Sequence, residues 1–249
     1  MTIRTVGGEG SADAVLELRQ YTLRPGTRDT LIELFDREFV ETQEAVGMRV
    51  VGQFRDLDAA DRFVWLRGFA DMAARKAALT AFYGGPVWAA HRDAARATMV
   101  DTDDVLLLRP VGPGTGFPPA PPRPGAGAGA MAAGLYVAEI HHLDEPAEAG
   151  FLELFEASVE PALRAAGSSP VATLVTESSR NTFTRLPVRE GESVLVRVAR
   201  FADAAAYDRH RAALAASPAW RAAAEALEGR LRRPVEVLRL APTDRSALR

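Results

Sequence analysis

The sequence predicts an α+β protein built from two ferredoxin-like units, each a βαββαβ run. Three observations carry this: an internal repeat, strand and helix periodicities that alternate within each copy, and a Pro/Gly/Ala segment between the copies. The repeat shows first in Glu33-Leu34-Phe35, which returns as Glu153-Leu154-Phe155, and in Gly47, which returns as Gly167. Both pairs are offset by 120 positions. Beyond them the offset becomes 132, where Phe69-Ala70-Asp71 matches Phe201-Ala202-Asp203 and Gly85-Pro86-Val87-Trp88 matches Ser217-Pro218-Ala219-Trp220. Matches that hold one offset over tens of residues mark a duplication. The change of offset places a 12-residue insertion in the second copy, in the turn-rich stretch around Ser178–Glu192.

Each element follows from its local pattern. Val15–Leu23 alternates and stops at Pro25-Gly26, which predicts a strand. Thr27–Val46 carries Leu31, Leu34, Phe35 and Phe39 at the spacing of one helical face and ends at Gly47. Met48–Leu57 and Arg62–Phe69 flank the polar turn Asp58–Asp61, a hairpin pattern. Asp71 is placed to cap a helix over Met72–Tyr83. Pro86 restarts a second helix over Val87–Met99, with Trp88 anchoring it to the sheet, and Val105–Arg109 closes the unit as a strand. The second copy repeats this order, with strands near Leu135–Leu143, Val171–Glu177, Ser193–Phe201 and Val235–Leu240. The predicted boundaries are a disordered start over 1–14, a first domain over 15–110, a linker over 111–134, a second domain over 135–242 and a tail over 243–249. Residues 110–134 hold seven of the 16 prolines and seven of the 20 glycines, a composition that reads as a tether.

Composition narrows the chemistry. The chain has 249 residues, a formal net charge of −3 and no cysteine. A basic nucleic-acid footprint is not expected at that charge, and disulfide, thiolate-metal and cysteine-nucleophile chemistry is excluded. No secretory h-region opens the chain and no apolar run reaches the ~20 residues of a membrane helix. A cytoplasmic protein with no membrane partner is therefore expected. Lys76 is the single lysine among 30 basic residues, which suggests a GC-rich, bacterial coding bias.

The strand ELRQYTL followed by Pro-Gly, the pair VGQF…DRFVWLRGF and the run AFYGGPVWAAHRD resemble the NIPSNAP family, clearly over Val15–Pro110 and more weakly over Leu135–Pro242. The resemblance implies a dimeric α+β barrel in which two four-stranded sheets close face to face, here within one chain. The wider superfamily holds cofactor-free monooxygenases, isomerases, cyclases and haem enzymes, so the fold constrains architecture more than activity.

Strand alternation sorts residues onto two faces. Leu16, Leu18, Val64, Leu66, Leu106 and Leu108 share one face and are expected to meet the helices. Glu17, Arg19, Tyr21, Phe63, Trp65, Arg67 and Phe69 then point into the barrel. Aligned as Glu17 with Glu139, the second copy adds His141 and Arg197. The expected site is a polar cluster of Glu17, Arg19, Tyr21, Arg67, Glu139, His141 and Arg197 inside an aromatic-lined barrel cavity. Glu17 or Glu139 would act there as a base on a small, partly apolar metabolite, without a cofactor, helped by arginine and tyrosine. Against this stands a structural reading, in which Glu17 with Arg19 or Arg197 is an interior ion pair that fixes how the halves dock. A non-catalytic binding or scaffold protein is the rival function, and homo-oligomers are compatible with either. A haem barrel ligated through His141 or His210 is a third. His141 and His142 are adjacent on a strand and face opposite ways, and His91 and Asp93 lie two apart on a helix, so no metal-ligand set is legible. No phosphate-binding loop or nucleophile elbow is present.

Overall fold

The computed structural model describes residues 13–119, 122–125, 134–144, 146–147 and 149–249. The predicted disordered start lies almost wholly outside these residues, as does much of the predicted tether. The first unit runs β1 (Val15–Leu23), α1 (Arg28–Leu34), a π-helical turn (Phe35–Phe39), α2 (Val40–Glu44), β2 (Arg49–Asp56), β3 (Arg62–Phe69), α3 (Met72–Gly84), α4 (Pro86–Thr98) and β4 (Met99–Pro110). The second runs β5 (Leu135–His142), α5 (Ala149–Leu154), a π-helical turn (Phe155–Val159), α6 (Glu160–Ala165), β6 (Ser169–Thr176), β7 (Val194–Phe201), α7 (Ala204–Ala216), α8 (Pro218–Glu228) and β8 (Glu236–Pro242). The helix expected over Thr27–Val46 is thus interrupted by a π turn, and the final strand of the first unit starts six residues earlier than its apolar core suggests.

Local signals act as their chemistry requires. The Asp71 carboxylate accepts from Ala74 N at 2.7 Å, and Asp203 accepts from Ala206 N at the same distance. Gly47 and Gly167 hold φ of +92° and +93°, a left-handed conformation that follows α2 and α6 and that L side chains rarely adopt.

Eight strands close into a barrel in the order β1-β3-β2-β8-β5-β7-β6-β4. The seams between the halves are β2 with β8 and β4 with β6, both antiparallel. Register fixes how the halves correspond. Val15 pairs with Phe69 in the first unit and Leu135 with Phe201 in the second, so offsets of 120 and 132 hold together. The strand bulge between Val50 and Gly52 returns between Pro170 and Ala172 at the same offset of 120. This corrects the alignment of Glu17 with Glu139. Val137 stands where Glu17 stands, Glu139 where Arg19 stands, and His141 where Tyr21 stands.

The two sheet faces are also the reverse of the expectation. Leu16, Leu18, Val64, Leu66, Leu106 and Leu108 form one cluster with Ala138, Ile140, Leu174, Val196, Leu238 and Leu240 of the other half, so they fill the barrel. Phe63, Trp65, Phe69 and Tyr21 instead pack with Leu31, Phe35, Phe39, Leu79 and Phe82, in the layer between sheet and helices. Alternation separates faces without saying which turns inward. Eight strands leave a bore just wide enough for side chains to fill, which suits Val, Leu and Ala. The Trp65 indole and the guanidinium groups of Arg19 and Arg67 take the roomier outer layer, where helices supply partners, while Phe54 and Tyr136 stay with the barrel cluster. The expected barrel cavity is therefore replaced by a packed aliphatic core.

Two segments taken as loose are docked. Phe117, within the predicted tether, and Leu248, within the predicted tail, both join the barrel cluster. Thr243 N donates to Gln53 O at 2.9 Å, and Gln53 N donates to the Ser246 hydroxyl at 3.1 Å, so the chain end runs on along β2.

Candidate functional site

Because the faces are reversed, the seven expected site residues do not converge. Glu17, Arg19, Tyr21 and Arg67 lie under the helices of the first unit. Glu139, His141 and Arg197 lie under those of the second, on the far side of the barrel core.

In the first unit, Glu17 on β1 is fully buried and is gripped by three guanidinium groups. Arg19 Nη1 donates to Glu17 Oε2 at 2.7 Å, Arg67 Nε donates to the same oxygen at 2.7 Å, and Arg75 Nε donates to Oε1 at 2.7 Å. Arg67 is opposite Glu17 in the ladder, and Arg75 descends from α3. Burial alone would raise the Glu17 pKa, but the charges of Arg67, Arg19 and Arg75 outweigh it and hold the carboxyl far below its usual range. A carboxylate held so firmly ionised is a poor proton acceptor. Sequence reasoning missed Arg75. It sits on a helix whose inward face could not be told apart without knowing which sheet face it covers.

The remaining valences of the cluster reach outward. Arg67 Nη1 donates to Gln43 Oε1 at 3.2 Å, and Gln43 Nε2 donates to Phe39 O at 3.0 Å, beside the π turn. Such turns are frequent at functional sites. Arg19 Nε donates to the Tyr21 hydroxyl at 3.1 Å. Burial pushes the Tyr21 pKa up against the pull of the Arg19 charge, so the phenol keeps its proton at neutral pH. Its oxygen is occupied by Arg19, and its O–H has no acceptor among the described residues.

Beside Tyr21 is a cavity of about 200 Å³. Its walls include Phe35, Phe39, Trp65, Phe82, Tyr83 and Trp88, with Gln43, Thr102, Arg96 and Asp103 as polar members. Trp65 is buried, its ring flanked by Arg67 at 5.0 Å and Arg19 at 5.6 Å, and its indole N–H has no hydrogen-bond partner. Such orphaned buried donors are uncommon and call for a reason. Trp88 contacts Tyr83 and Phe39 edge-on or tilted, at 4.9 and 5.7 Å between ring centres, so it is both anchor and wall.

The last wall comes from the other half of the chain. Arg185, Leu186 and Pro187 of the insertion between β6 and β7 line the same cavity. Topology explains the reach: β6 pairs with β4, which pairs with β1, so the segment leaving β6 emerges over the first unit. It is fastened there by Arg75 Nη1 donating to Asn181 Oδ1 at 3.0 Å and by Phe183 stacked on Tyr83 at 6.1 Å. Asn181 Nδ2 also donates to Leu186 O at 2.9 Å, which shapes the cap itself. In sequence this insertion shows only as a turn-rich surplus.

At the equivalent positions of the second unit, apolar side chains pack together. Phe151, Phe155, Val159 and Leu163 replace Leu31, Phe35, Phe39 and Gln43, and with Leu214 and Trp220 they pack as one cluster. Arg197, in the place of Trp65, donates to Glu160 Oε2 at 2.5 Å, to Glu139 Oε2 at 3.2 Å and to the Ser168 hydroxyl at 2.7 Å. Burial raises the Glu139 pKa against the pull of Arg197. His141 lies edge-on to Phe155 at 5.5 Å with both ring nitrogens unpartnered. Burial, then the charge of Arg197, lowers its pKa to about 4. His210 packs on Phe201 and bonds Ala166 O through Nδ1 at 3.0 Å. Neither His141 nor His210 is among the residues lining the first unit's cavity.

The neutral His141 has a consequence for acid stability. Between pH 6.5 and about 4 the unfolded chain binds a proton at this position that the folded chain refuses, so stability falls over that window as pH falls. The contribution is about 2–4 kcal/mol. His141→Leu is expected to flatten the urea-unfolding midpoint between pH 6.5 and 4 relative to the parent. An unchanged pH slope would show that His141 titrates normally.

A second, more polar groove of about 580 Å³ lies on the other side of the insertion, bounded by Arg109, Arg180, Arg232, Asp144, Glu177 and Glu190 among others. It holds none of the expected site residues. Among the described residues no three metal-ligating side chains cluster, and no helix is long and apolar enough to cross a membrane.

Three comparisons place this geometry among known proteins. An anthrone oxidase-like protein shares the fold at a TM-score of 0.61 and 12% identity, covering 95% of each chain. A putative monooxygenase from Lactobacillus acidophilus aligns at a TM-score of 0.54 and 12% identity, covering 93% of this chain and 97% of its own. A putative monooxygenase from Fusobacterium nucleatum gives 0.56 and 9% identity, with 93% of each chain covered. At such identities the likeness is one of fold. A search of curated proteins returns no match. The NIPSNAP family model matches residues 16–113, the first unit, which holds the cavity.

Proposed function

We propose that the first unit binds a small, flat, largely apolar molecule in the cavity between its sheet and its helices, with the second unit serving as barrel partner and cap. On this reading the chain is a tandem duplication, and one chain supplies the barrel that two NIPSNAP units would otherwise assemble. The observation that carries the proposal is the pair of donors at one aromatic-walled space: the orphaned Trp65 indole N–H and the Tyr21 hydroxyl, whose own proton is free. Tyr21 and Trp65 both line the space, so a ligand there lies beside both side chains. Pockets of this kind are apolar, with a few converging polar groups. The volume of about 200 Å³ is below the ~300–1,000 Å³ usual for drug-sized ligands, so the occupant is a small metabolite.

Chemistry at the site, where it follows binding, is polarisation of a ligand oxygen. Tyr21 donates to it while the Arg19 guanidinium stabilises negative charge arriving on the phenol, an arrangement suited to enol or phenol chemistry. Glu17 takes no proton; it holds the three arginines in place. The structural neighbours, named as putative monooxygenases and an anthrone oxidase-like protein, are compatible with such substrates.

The test is titration calorimetry of the full chain with trans-cinnamate, trans-cinnamamide and 1-naphthol. At least one is expected to bind below millimolar, and Tyr21→Phe to weaken it about fivefold to tenfold, from the loss of one hydrogen bond of ~1 kcal/mol. Absence of binding by all three, or equal binding by Tyr21→Phe and Trp65→Phe, would overturn the proposal.

A further inference from the structure

The cavity has a charge that its aromatic lining conceals. Behind the wall formed by Tyr21, Trp65 and Gln43 sit Arg19, Arg67 and Arg75, each essentially inaccessible to solvent, and a single carboxylate, Glu17, answers all three. The other groups they bond are neutral: the Tyr21 hydroxyl, the Gln43 and Asn181 carboxamides, and the Thr102 carbonyl. Two further arginines, Arg96 and Arg185, line the cavity directly from exposed positions. Among the described residues neither has a carboxylate partner. Arg96 lies over Trp88 at 6.0 Å and Arg185 over Phe183 at 5.9 Å. Asp103 is the one acidic side chain of the lining. Five guanidinium groups thus surround or back this space against two carboxylates. Buried ions are costly unless neutralised, and the excess here is buried on one side and unpaired on the other. Desolvation, with the charges of Arg67 and Arg19 adding to it, depresses the Arg75 pKa, as expected where like charges crowd.

Resting on the reading above, we infer that the ligand of the first unit is an anion, a carboxylate or phenolate on a flat apolar body. Its specificity for charge is set in part by Arg185, a residue that the second unit's insertion delivers to the first unit's cavity. The acid group lies beside Tyr21 and Trp65, the ring lies among Phe35, Phe39, Phe82 and Trp88, and the buried arginines act on the charge through the wall. Low-dielectric surroundings make such through-wall attraction effective. Arg185 completes the field from the solvent side. Arg96 supplies one such charge from the first unit and Arg185 adds a second from the insertion, so the NIPSNAP unit by itself would select ligands less sharply.

The decisive pair of probes is trans-cinnamate and trans-cinnamamide, which match in shape and differ by one charge. Calorimetry on the full chain is expected to give cinnamate at least a tenfold lower Kd. Arg185→Gln should reduce that ratio by threefold or more, and Arg185→Lys should restore most of it. Because Arg185 is exposed, neither variant threatens the fold, and a purely structural role for the cap would change both affinities equally and leave the ratio alone. Equal affinity for the two probes, or preference for the amide, overturns the anion inference while leaving the binding site standing. A tenfold ratio that is unmoved in Arg185→Gln removes Arg185 from the argument and assigns the selection to the buried trio alone. Failure of both probes, together with 1-naphthol, overturns the binding site itself.

Discussion

Glu17→Gln should destabilise the protein severely, by about 3–5 kcal/mol, because it strands buried guanidinium groups without their counter-charge. For a chain of this size that corresponds to a fall in Tm of roughly 6–20 °C, since each kcal/mol moves Tm by about 2–4 °C. Arg19, Arg67 and Arg75 would each keep its neutral partners but lose its only carboxylate. The contrast with a catalytic role is direct. A general base replaced by its amide costs turnover and spares the fold, whereas here the thermal transition itself moves. Differential scanning calorimetry decides: a shift under about 3 °C would mean the cluster is held by other contacts. The pH dependence points the same way. Because the folded pKa of Glu17 is depressed, its stabilisation is complete above the unfolded value of 4.5 and is lost as pH falls from there toward the folded value. In the parent, the loss of stability below pH 4.5 should be steep, and in Glu17→Gln that part of the slope should be absent.

Phe183→Ala carries the second large effect, because Phe183 fastens the cap. The side chain is buried, stacks on Tyr83 and belongs to the first unit's core cluster although it is encoded in the second. Truncation should cost about 3 kcal/mol in urea unfolding, at the low end of the ~3–5 kcal/mol found for large aromatic side chains, since the site lies near the surface. It should also loosen Leu186 and Pro187 over the cavity and weaken cinnamate binding by tenfold or more under conditions where the variant is fully folded. A variant that loses stability but binds as tightly as the parent would show that the cap is not part of the site.

Much of the molecule was legible in order and little of it in orientation. The strand and helix order, the Asp71 and Asp203 caps, the Gly47 and Gly167 stops and the 12-residue surplus near residue 178 are local signals, and residues within a few positions of one another settle them. Glu17, Arg19, Tyr21 and Arg67 were legible as a group because they share a strand face with one another or with a partner in the ladder. Which way that face turns was not legible. Both faces of β1 and β3 are buried, one with aliphatic residues and one with aromatic and charged residues, and period-two alternation is symmetric between them. The choice came from volume: a closed eight-stranded bore accepts Leu and Val, while Trp65 and the arginines fit only beneath helices.

The sequence by itself determined the two βαββαβ runs, the absence of thiol chemistry and the short set of charged residues available for function. The tertiary structure decided that these residues form two separate clusters rather than one, that Glu17 is ion-paired to three arginines, that Arg75 meets Asn181 and that Arg185 lines the first unit's cavity. The physical reason is range. Propensity and periodicity act over a few residues, whereas the meeting of Arg75 with Asn181, 106 positions apart, depends on β6 lying beside β4 in a closed barrel.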